Sequence, residues 1–226
     1  MASTPAYDEI ADWYEEVFLG KQPPDQDPHG IRRILRDLLG EGTGHCLEVG
    51  CGTGAYAGEV RGLGWTPVGV DLSTGMLRHA RGRLPVVRAD AERLPVPDGQ
   101  LPAVACVMVH TDMPGYAAVV KEVARVLRPG GVFAHVGVHP CFCGWFADRA
   151  DPEAAVIRPG YLDRLWTKAS WTTEGVRDKV GAMHWPLSDL MRMFTDAGLV
   201  FERLAEGNGP TPLVLGVRLR KPLATP

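Results

Sequence analysis

An α/β fold on a doubly wound, mostly parallel sheet is predicted by three features of the 226-residue chain. Strand-like and helix-like segments alternate from residue 45 to residue 138. The first strand runs directly into the glycine turn Gly50-Cys51-Gly52-Thr53-Gly54, and the next two strands each end in an acid, Asp71 and Asp90. A last helix is followed by two strands too close together for a crossover. Alternation of this kind implies right-handed crossovers with helices on both faces, and the closing pair implies an antiparallel hairpin.

The elements follow in order. "YDEIADWYEEVFLG" (7–20) carries apolar and aromatic residues at helical spacing, and the Pro/Asp-rich loop 21–30 follows it. "GIRRILRDLLGEG" (30–42) is an amphipathic helix closed by glycines. Strands are expected at 45–50, 66–73, 85–90, 103–110 and 132–138, with helices at 55–64, 74–84 and 116–127 and a turn at "RPGG" (128–131). "AVACVMVH" (103–110) is nearly continuous in apolar residues, as a central strand buried on both faces requires. "PLSDLMRMFTDAGL" (186–199) is the last helix, and "VFERLAE" and "LVLGVRLR" bring the sheet to seven strands. Between these parts, residues 139–185 hold four of the six tryptophans, so this stretch reads as a lid or binding loop.

Composition bounds the function. The chain is 45% hydrophobic and 23% charged, so a packed globular domain, neither disordered nor fibrous, is expected. Its length suits one domain over residues 1–226. A net charge of -3 supplies no basic field for nucleic acid or an anionic membrane. No apolar run approaches the ~18 residues of a membrane span, and the start lacks a secretory pattern, so a cytoplasmic protein is expected. Five cysteines without regular spacing do not form a disulfide framework. Cys141 and Cys143 with His139 nearby hint at a metal, but a zinc site needs three or four ligands and no second cluster accompanies them, so no metal is expected.

The glycines explain the first turn. In such sheets ligands bind beyond the carboxyl ends of the strands, where strand order reverses. Bare backbone there approaches a ligand closely, and the following helix start supplies free N–H groups. Residues 50–55 also match G-x-G-x-x-A, a dinucleotide fingerprint, and both readings want Asp71 to hold ribose hydroxyls. Three features separate them: Glu48 two residues before the first glycine, Asp90 opening "DAERLPVPDGQ", and "LRPGG" (127–131) ahead of a strand, a helix and a terminal hairpin.

With "LEVGCGTG", "VGVDLS...ML..A", "RADAERLPVPDGQ" and "LRPGG" in this order, the chain resembles the class I S-adenosylmethionine-dependent methyltransferases, especially the branch that includes the ubiquinone and menaquinone methyltransferases. The resemblance covers most of residues 7–138 and fits 186–221 in outline. It implies a Rossmann-like fold, S-adenosyl-L-methionine as cofactor and S-adenosyl-L-homocysteine as product. It assigns Gly50, Cys51, Gly52 and Gly54 to the methionine part, Glu48 to the network around its amino group, and Asp71 to the ribose. Leu72 and Met76 would sandwich the adenine, Asp90 and Ala91 would read its edge, and Val109 would line the site. Tyr7 and Tyr14 resemble tyrosines of an entry helix, so the N-terminal helices (7–40) would cover the cofactor. For Met76 and both tyrosines, plain helix packing is the competing reading. Two departures stand out: Leu101-Pro102 replaces the usual pair before the fourth strand, and only His110 matches in "VMVHTDM".

Methyl transfer from a sulfonium needs positioning and exclusion of water, and a base only where the acceptor must lose a proton. His110 and His139, at the ends of the fourth and fifth strands, are the candidate bases; Asp112 follows His110, and His184 sits just before the last helix. In the insertion, Phe142, Trp145, Phe146, Tyr161, Trp166 and Trp171, with His184, would wall an acceptor pocket. The plainer reading is a satellite hydrophobic cluster under a long loop. The expected partner is a small molecule with an O- or N-nucleophile, aromatic and natural-product-like acceptors included, and the chain would act as a monomer or homodimer. Two alternatives are an N-methyltransferase of a peptide or protein terminus and a cofactor-binding protein without methyl transfer. A nicotinamide oxidoreductase lacks support, since no Tyr-x-x-x-Lys pair follows the fourth strand.

Overall fold

The computed structural model describes residues 5–21, 26–151, 154–169 and 175–223. The expected first helix is broken into pieces. A 3-10 turn (Ala6–Asp8) precedes a short helix α1 (Ala11–Trp13), which widens into a π-helical turn, Tyr14–Leu19. The wide turn lets Trp13 stack on Phe18, five residues on, with ring centres 6.1 Å apart. Helix α2 (Ile31–Leu39) starts from Gly30 in left-handed conformation and stops at Gly40.

Then come β1 (His45–Val49), α3 (Ala57–Gly62), β2 (Thr66–Asp71), α4 (Thr74–Ala80), β3 (Val86–Arg88), β4 (Leu101–Val107), α5 (Tyr116–Val126) and β5 (Leu127–Val138). The insertion forms two small ribbons, β6 (Ala147–Asp148) with β7 (Val156–Ile157) and β8 (Trp166–Thr167) with β9 (Ala182–Met183). Helix α6 (Val176–Val180) lies between β8 and β9 in the chain. Helix α7 (Leu187–Asp196), β10 (Val200–Glu206) and β11 (Val214–Arg220) complete the chain. The seven-stranded sheet has the order β3-β2-β1-β4-β5-β11-β10. Strands β1 to β5 pair in parallel, and β11 runs antiparallel to both β5 and β10. The expected α/β doubly wound sheet with a closing antiparallel hairpin is therefore present.

Several boundaries shorten relative to the expectation, β3 among them, which stops at Arg88, two residues before Asp90; two others differ in kind. Strand β4 stops at Val107, and His110–Asp112 form a 3-10 turn rather than the strand end. The "RPGG" turn is a loop within β5: Leu127 faces Leu101 and Val132 faces Ala103, so four residues of β5 are passed over.

Side-chain alternation divides the core into two layers. Leu47, Val49, Val104, Cys106 and Phe133 face α5 and α7, where Val119, Val123, Leu190 and Phe194 meet them. Cys46, Ala103, Ala105, Ala134 and Val136 face α2, which contributes Ile34, Leu35 and Leu38. The small residues on this second face let α2 sit close to the sheet. Closest approach is at Gly216 of β11, where an added Cβ would lie 2.3 Å from Ile34 Cγ2 and 2.5 Å from Leu38 Cδ1. Gly216→Ala is expected to cost roughly 1–3 kcal/mol by overpacking, measured by urea denaturation; a loss under ~0.5 kcal/mol would show that α2 moves freely.

Candidate active site

Strand order reverses between β1 and β4, and the crevice at their carboxyl ends opens into a cleft of about 390 Å³. Its floor is the glycine turn. Gly50 and Gly52 have φ of +67° and +53°, which side chains rarely adopt, and a Cβ on Gly50 would meet Val109 Cγ1 at 2.6 Å. The amides of Gly50 and Cys51 donate to the carbonyl of Val70, fastening the turn to β2.

Asp71 ends β2 and fixes both loops around it. Its Oδ2 accepts from the amide of Gly52 (2.8 Å), and its Oδ1 accepts from the amide of Ser73 (2.9 Å). Burial pushes its carboxyl up, and these amide bonds oppose the shift. Each carboxylate oxygen has a second lone pair, so both remain able to accept from a ligand hydroxyl. Ser73 in turn caps α4, its hydroxyl accepting from the amide of Met76 at 3.1 Å.

Glu48 is the unsatisfied polar group of the floor. It is 4% exposed, it lines the cleft, and its Oε1 is buried without a partner. Burial raises its carboxyl to about 7, with Glu59 adding to the shift and Arg61 opposing it. A buried, partnerless carboxylate beside an open cavity suits a cationic ligand group.

The N-terminal segment closes one side through a stripe of acids one helical face apart. Asp8 Oδ1 accepts from Ser73 Oγ (2.6 Å) and the amide of Gly75 (2.8 Å). Asp12 pairs with Arg78 and with His79 (2.8 Å), and Glu15 pairs with Arg83, which also donates to the carbonyl of Thr53. This seats Tyr7 and Tyr14 on the cleft, ring centres 5.8 Å apart and edge to face. The other side is closed by the insertion: Trp166 and Val180 line the cleft, and Lys179 of α6 lies 4.8 Å over the ring of Trp13. Asp112 joins the two covers. Its Oδ1 accepts from the Tyr7 hydroxyl (3.1 Å) and from the buried guanidinium of Arg177. Burial pushes the Asp112 carboxyl up and Arg177 works against that; on Arg177, burial opposes the charge, and Asp112 together with Tyr7 and Tyr14 offsets it. Met108, just past β4, also lines the cleft and has a φ of +60°, the single non-glycine with positive φ among the described residues.

The expected site residues divide sharply. Tyr14, Glu48, Gly50, Cys51, Gly52, Asp71, Leu72, Met76, Asp90, Ala91 and Val109 all line this one cleft. Gly54 does not: it faces Leu84, 2.6 Å from an added Cβ, and its amide closes the turn onto Cys51 O. His110 does not either, because the 3-10 turn buries it. There its ring packs 5.1 Å from His135 and 5.9 Å from Tyr116, and burial with His135 holds its pKa well below the usual value. His139 has both nitrogens engaged, Nε2 with Glu206 Oε1 (3.0 Å) and Nδ1 accepting from the amide of Cys141 (3.2 Å). It lies outside the cleft lining.

Of the expected acceptor wall, only Trp166 reaches the cleft. Phe142 packs on His139; Trp145, Phe146, Tyr161 and His184 pack on one another. The hydroxyl of Tyr161 accepts from the amide of Leu187 at the start of α7, and His184 Nε2 bonds Tyr161 O. These residues form a satellite cluster that anchors the insertion. Trp171 lies outside the described residues. Arg177 and the 8-12-15 acid stripe were not expected; only the stripe's helical spacing is a sequence signal. Among the described residues no group of His, Cys, Asp and Glu could hold a metal, and no helix is long and apolar enough to cross a membrane.

The state of Glu48 can be tested without a ligand. Its raised pKa means the folded protein holds a proton that the unfolded chain releases near 4.5. Its contribution to stability is full below that value and is lost as pH rises through about 7. Relative to the unaltered protein, Glu48→Gln should therefore gain roughly 3 kcal/mol between pH 4 and pH 8 in urea melts. Parallel pH curves for the two proteins would count against a protonated Glu48.

Comparison with known proteins agrees with this geometry. Residues 47–135 match the family model described as a methyltransferase domain. The chain is 35% identical over 133 residues to a probable phthiotriol/phenolphthiotriol dimycocerosates methyltransferase of Mycobacterium ulcerans, covering 55% of this chain and 48% of that protein. It is 27% identical over 178 residues to a demethylmenaquinone methyltransferase of Listeria welshimeri, covering 72% and 73%. Against several other curated relatives, too, the chain spans less than half of their length. The crystal structure of an S-adenosylmethionine-dependent methyltransferase from Mesorhizobium loti superposes with a TM-score of 0.69 at 22% identity, over 83% of this chain and 96% of that one. With the strand order and the glycine turn, these matches identify residues 47–135 as a methyltransferase domain, and the chain shares its fold with S-adenosylmethionine-dependent methyltransferases.

Proposed function

We propose that the protein transfers a methyl group from S-adenosylmethionine to a small-molecule acceptor with an O- or N-nucleophile. The observation that carries this reading is the partnerless, buried Oε1 of Glu48 at the floor of a glycine cradle, in the same cleft as Asp71. The family's cofactor has an ammonium to meet the first and ribose hydroxyls to meet the second. The names of the two relatives add that methyl transfer, onto demethylmenaquinone or phthiotriol dimycocerosates, occurs on similar chains.

The chain's residues would divide the work as follows. Glu48 and the backbone of Gly50, Cys51 and Gly52 hold the amino-acid part, and Asp71 holds the ribose. Leu72 and Met76 take the two faces of the base, Asp90 and Ala91 take its edge, and Val109 supports the middle. The cofactor supplies an electrophilic methyl group on a sulfonium. Tyr7, Tyr14, Met108 and Trp166 bound the remaining volume, exclude water and orient the acceptor's nucleophile. Cover from both the N-terminal segment and the insertion favours an enclosed small molecule over a long peptide. The N-terminal stretch acts as a cover and residues 139–185 as the second wall of one methyltransferase unit. Among the described residues that line the cleft there is no histidine, so an acceptor that loses its proton to solvent or needs no base suits it best.

Two measurements test the reading. Asp71→Ala should weaken cofactor binding at least tenfold by calorimetry, since charge-assisted hydrogen bonds are worth roughly 1.5–3 kcal/mol; unchanged affinity removes the ribose assignment. Incubation with methyl-labelled cofactor and a panel of phenols, amines and carboxylates should yield S-adenosylhomocysteine and a labelled product. A protein that ignores the cofactor but binds a pyridine dinucleotide would overturn the proposal.

A further inference from the structure

We infer that the acceptor is an apolar or aromatic amine, recognised by Asp112 within a cage of Tyr7, Tyr14 and Trp166. The inference rests on the methyltransferase reading and narrows it. It starts from charge. Glu48, Asp71, Asp90, Glu92 and Asp112 line the cleft, and among the described residues that line it there is no lysine, arginine or histidine. An acceptor carrying a carboxylate or phosphate would enter against five acids, with no cation to receive it.

Cofactor recognition leaves one of these acids over. Glu48, Asp71 and Asp90 are placed on the cofactor, and the Glu92 carboxylate lies against Gly115. Asp112 stands apart, between the N-terminal cover and the insertion. The Tyr7 hydroxyl and the Arg177 guanidinium both meet its Oδ1. Its Oδ2 has no hydrogen bond among the described residues and is not among the sealed, partnerless atoms. An acceptor oxygen held in place on one side and open on the other is suited to receive an N–H. Arg177 does not line the cleft; it also donates to Gly181 O at 3.3 Å and works from behind, fixing the carboxylate.

Aromatic rings line the same cleft as this carboxylate. Tyr7 bonds Asp112 directly, and Tyr14 lies edge to face against Tyr7. Trp166 packs on Gly181, the residue whose carbonyl shares Arg177 with Asp112. A carboxylate sharing a cleft with aromatic rings favours an alkylammonium through hydrogen bonding and cation–π attraction together. The partnerless Oε1 of Glu48, in a residue 4% exposed, adds to the acidic character of the cleft but is taken up by the cofactor's amino group in this reading. An amine attacks through its nitrogen lone pair as the free base. The ammonium proton therefore leaves to solvent before the N–C bond forms and the C–S pair departs with sulfur, so turnover should rise with pH.

The test uses protein saturated with S-adenosylhomocysteine and matched probes: 2-phenylethylamine, 2-phenylethanol and 3-phenylpropanoate, followed by calorimetry. The amine should bind at least tenfold tighter than the acid, and Asp112→Asn should abolish that preference while the melting curve still reports a folded protein. Trp166→Leu, a change in a part-exposed residue, should weaken the amine severalfold without improving the acid, and serves if Asp112→Asn fails to fold. With labelled cofactor, the amine should yield an N-methylated product by mass spectrometry. Acid binding as tight as amine binding, an unchanged preference in folded Asp112→Asn, or no amine binding at all overturns the inference. S-adenosylhomocysteine binding, measured first, separates the cases: if it fails the methyltransferase reading falls, and if it holds without amine preference only this inference falls.

Discussion

One carboxylate, Asp71, holds together the two loops that make the cleft. By accepting from the amides of Gly52 and Ser73, it ties the turn after β1 to the start of α4. The left-handed glycines need such a tie, because a turn of bare backbone has the most conformational freedom to lose on folding. Ser73, fixed by the same acid, caps α4 and also donates to Asp8. The N-terminal cover thus rests on a residue that Asp71 positions. Cleft floor, helix start and lid share one anchor, which buries a charge that amide bonds compensate.

Ionic contacts and hydrogen bonds fasten the N-terminal cover to α4 and both covers to Asp112. Asp8, Asp12 and Glu15 face the start of α4, its basic residues and Arg83, while Asp112 receives Tyr7 from one side and Arg177 from the other. The exposed pairs at Arg78 and Arg83 are weak individually and screened by salt. The Asp112–Arg177 pair is buried, so separating it would leave an uncompensated charge. The outer contacts therefore open readily while the inner one fixes the closed geometry.

The sheet was legible in the sequence because its signals are local. Buried parallel strands are continuous apolar runs, and the glycines and acids fall at strand ends, so Gly50, Asp71 and Asp90 could be placed without coordinates. The acceptor side was not legible, for two physical reasons. Strand β4 stops at Val107, and the 3-10 turn after it buries His110 and brings Asp112 to the cleft; a shift of two residues decided which titratable group faces the cleft. In the insertion, composition announces many aromatic rings but not their direction. Trp166 turns to the cleft, while Tyr161 and His184 spend their polar atoms on the α7 start and on backbone. The contact of Arg177 with Asp112 joins residues 65 apart and leaves no local pattern to read.

Met108 carries a last implication. Its backbone sits in the left-handed region, where a glycine would rest at lower energy by roughly 1–2 kcal/mol, yet the position bears a long, polarisable side chain at the cleft wall. The chain accepts a less stable backbone to keep a thioether at the cleft wall. Thermal hardening by a glycine there would widen the chamber, so robustness and fidelity pull this residue in opposite directions.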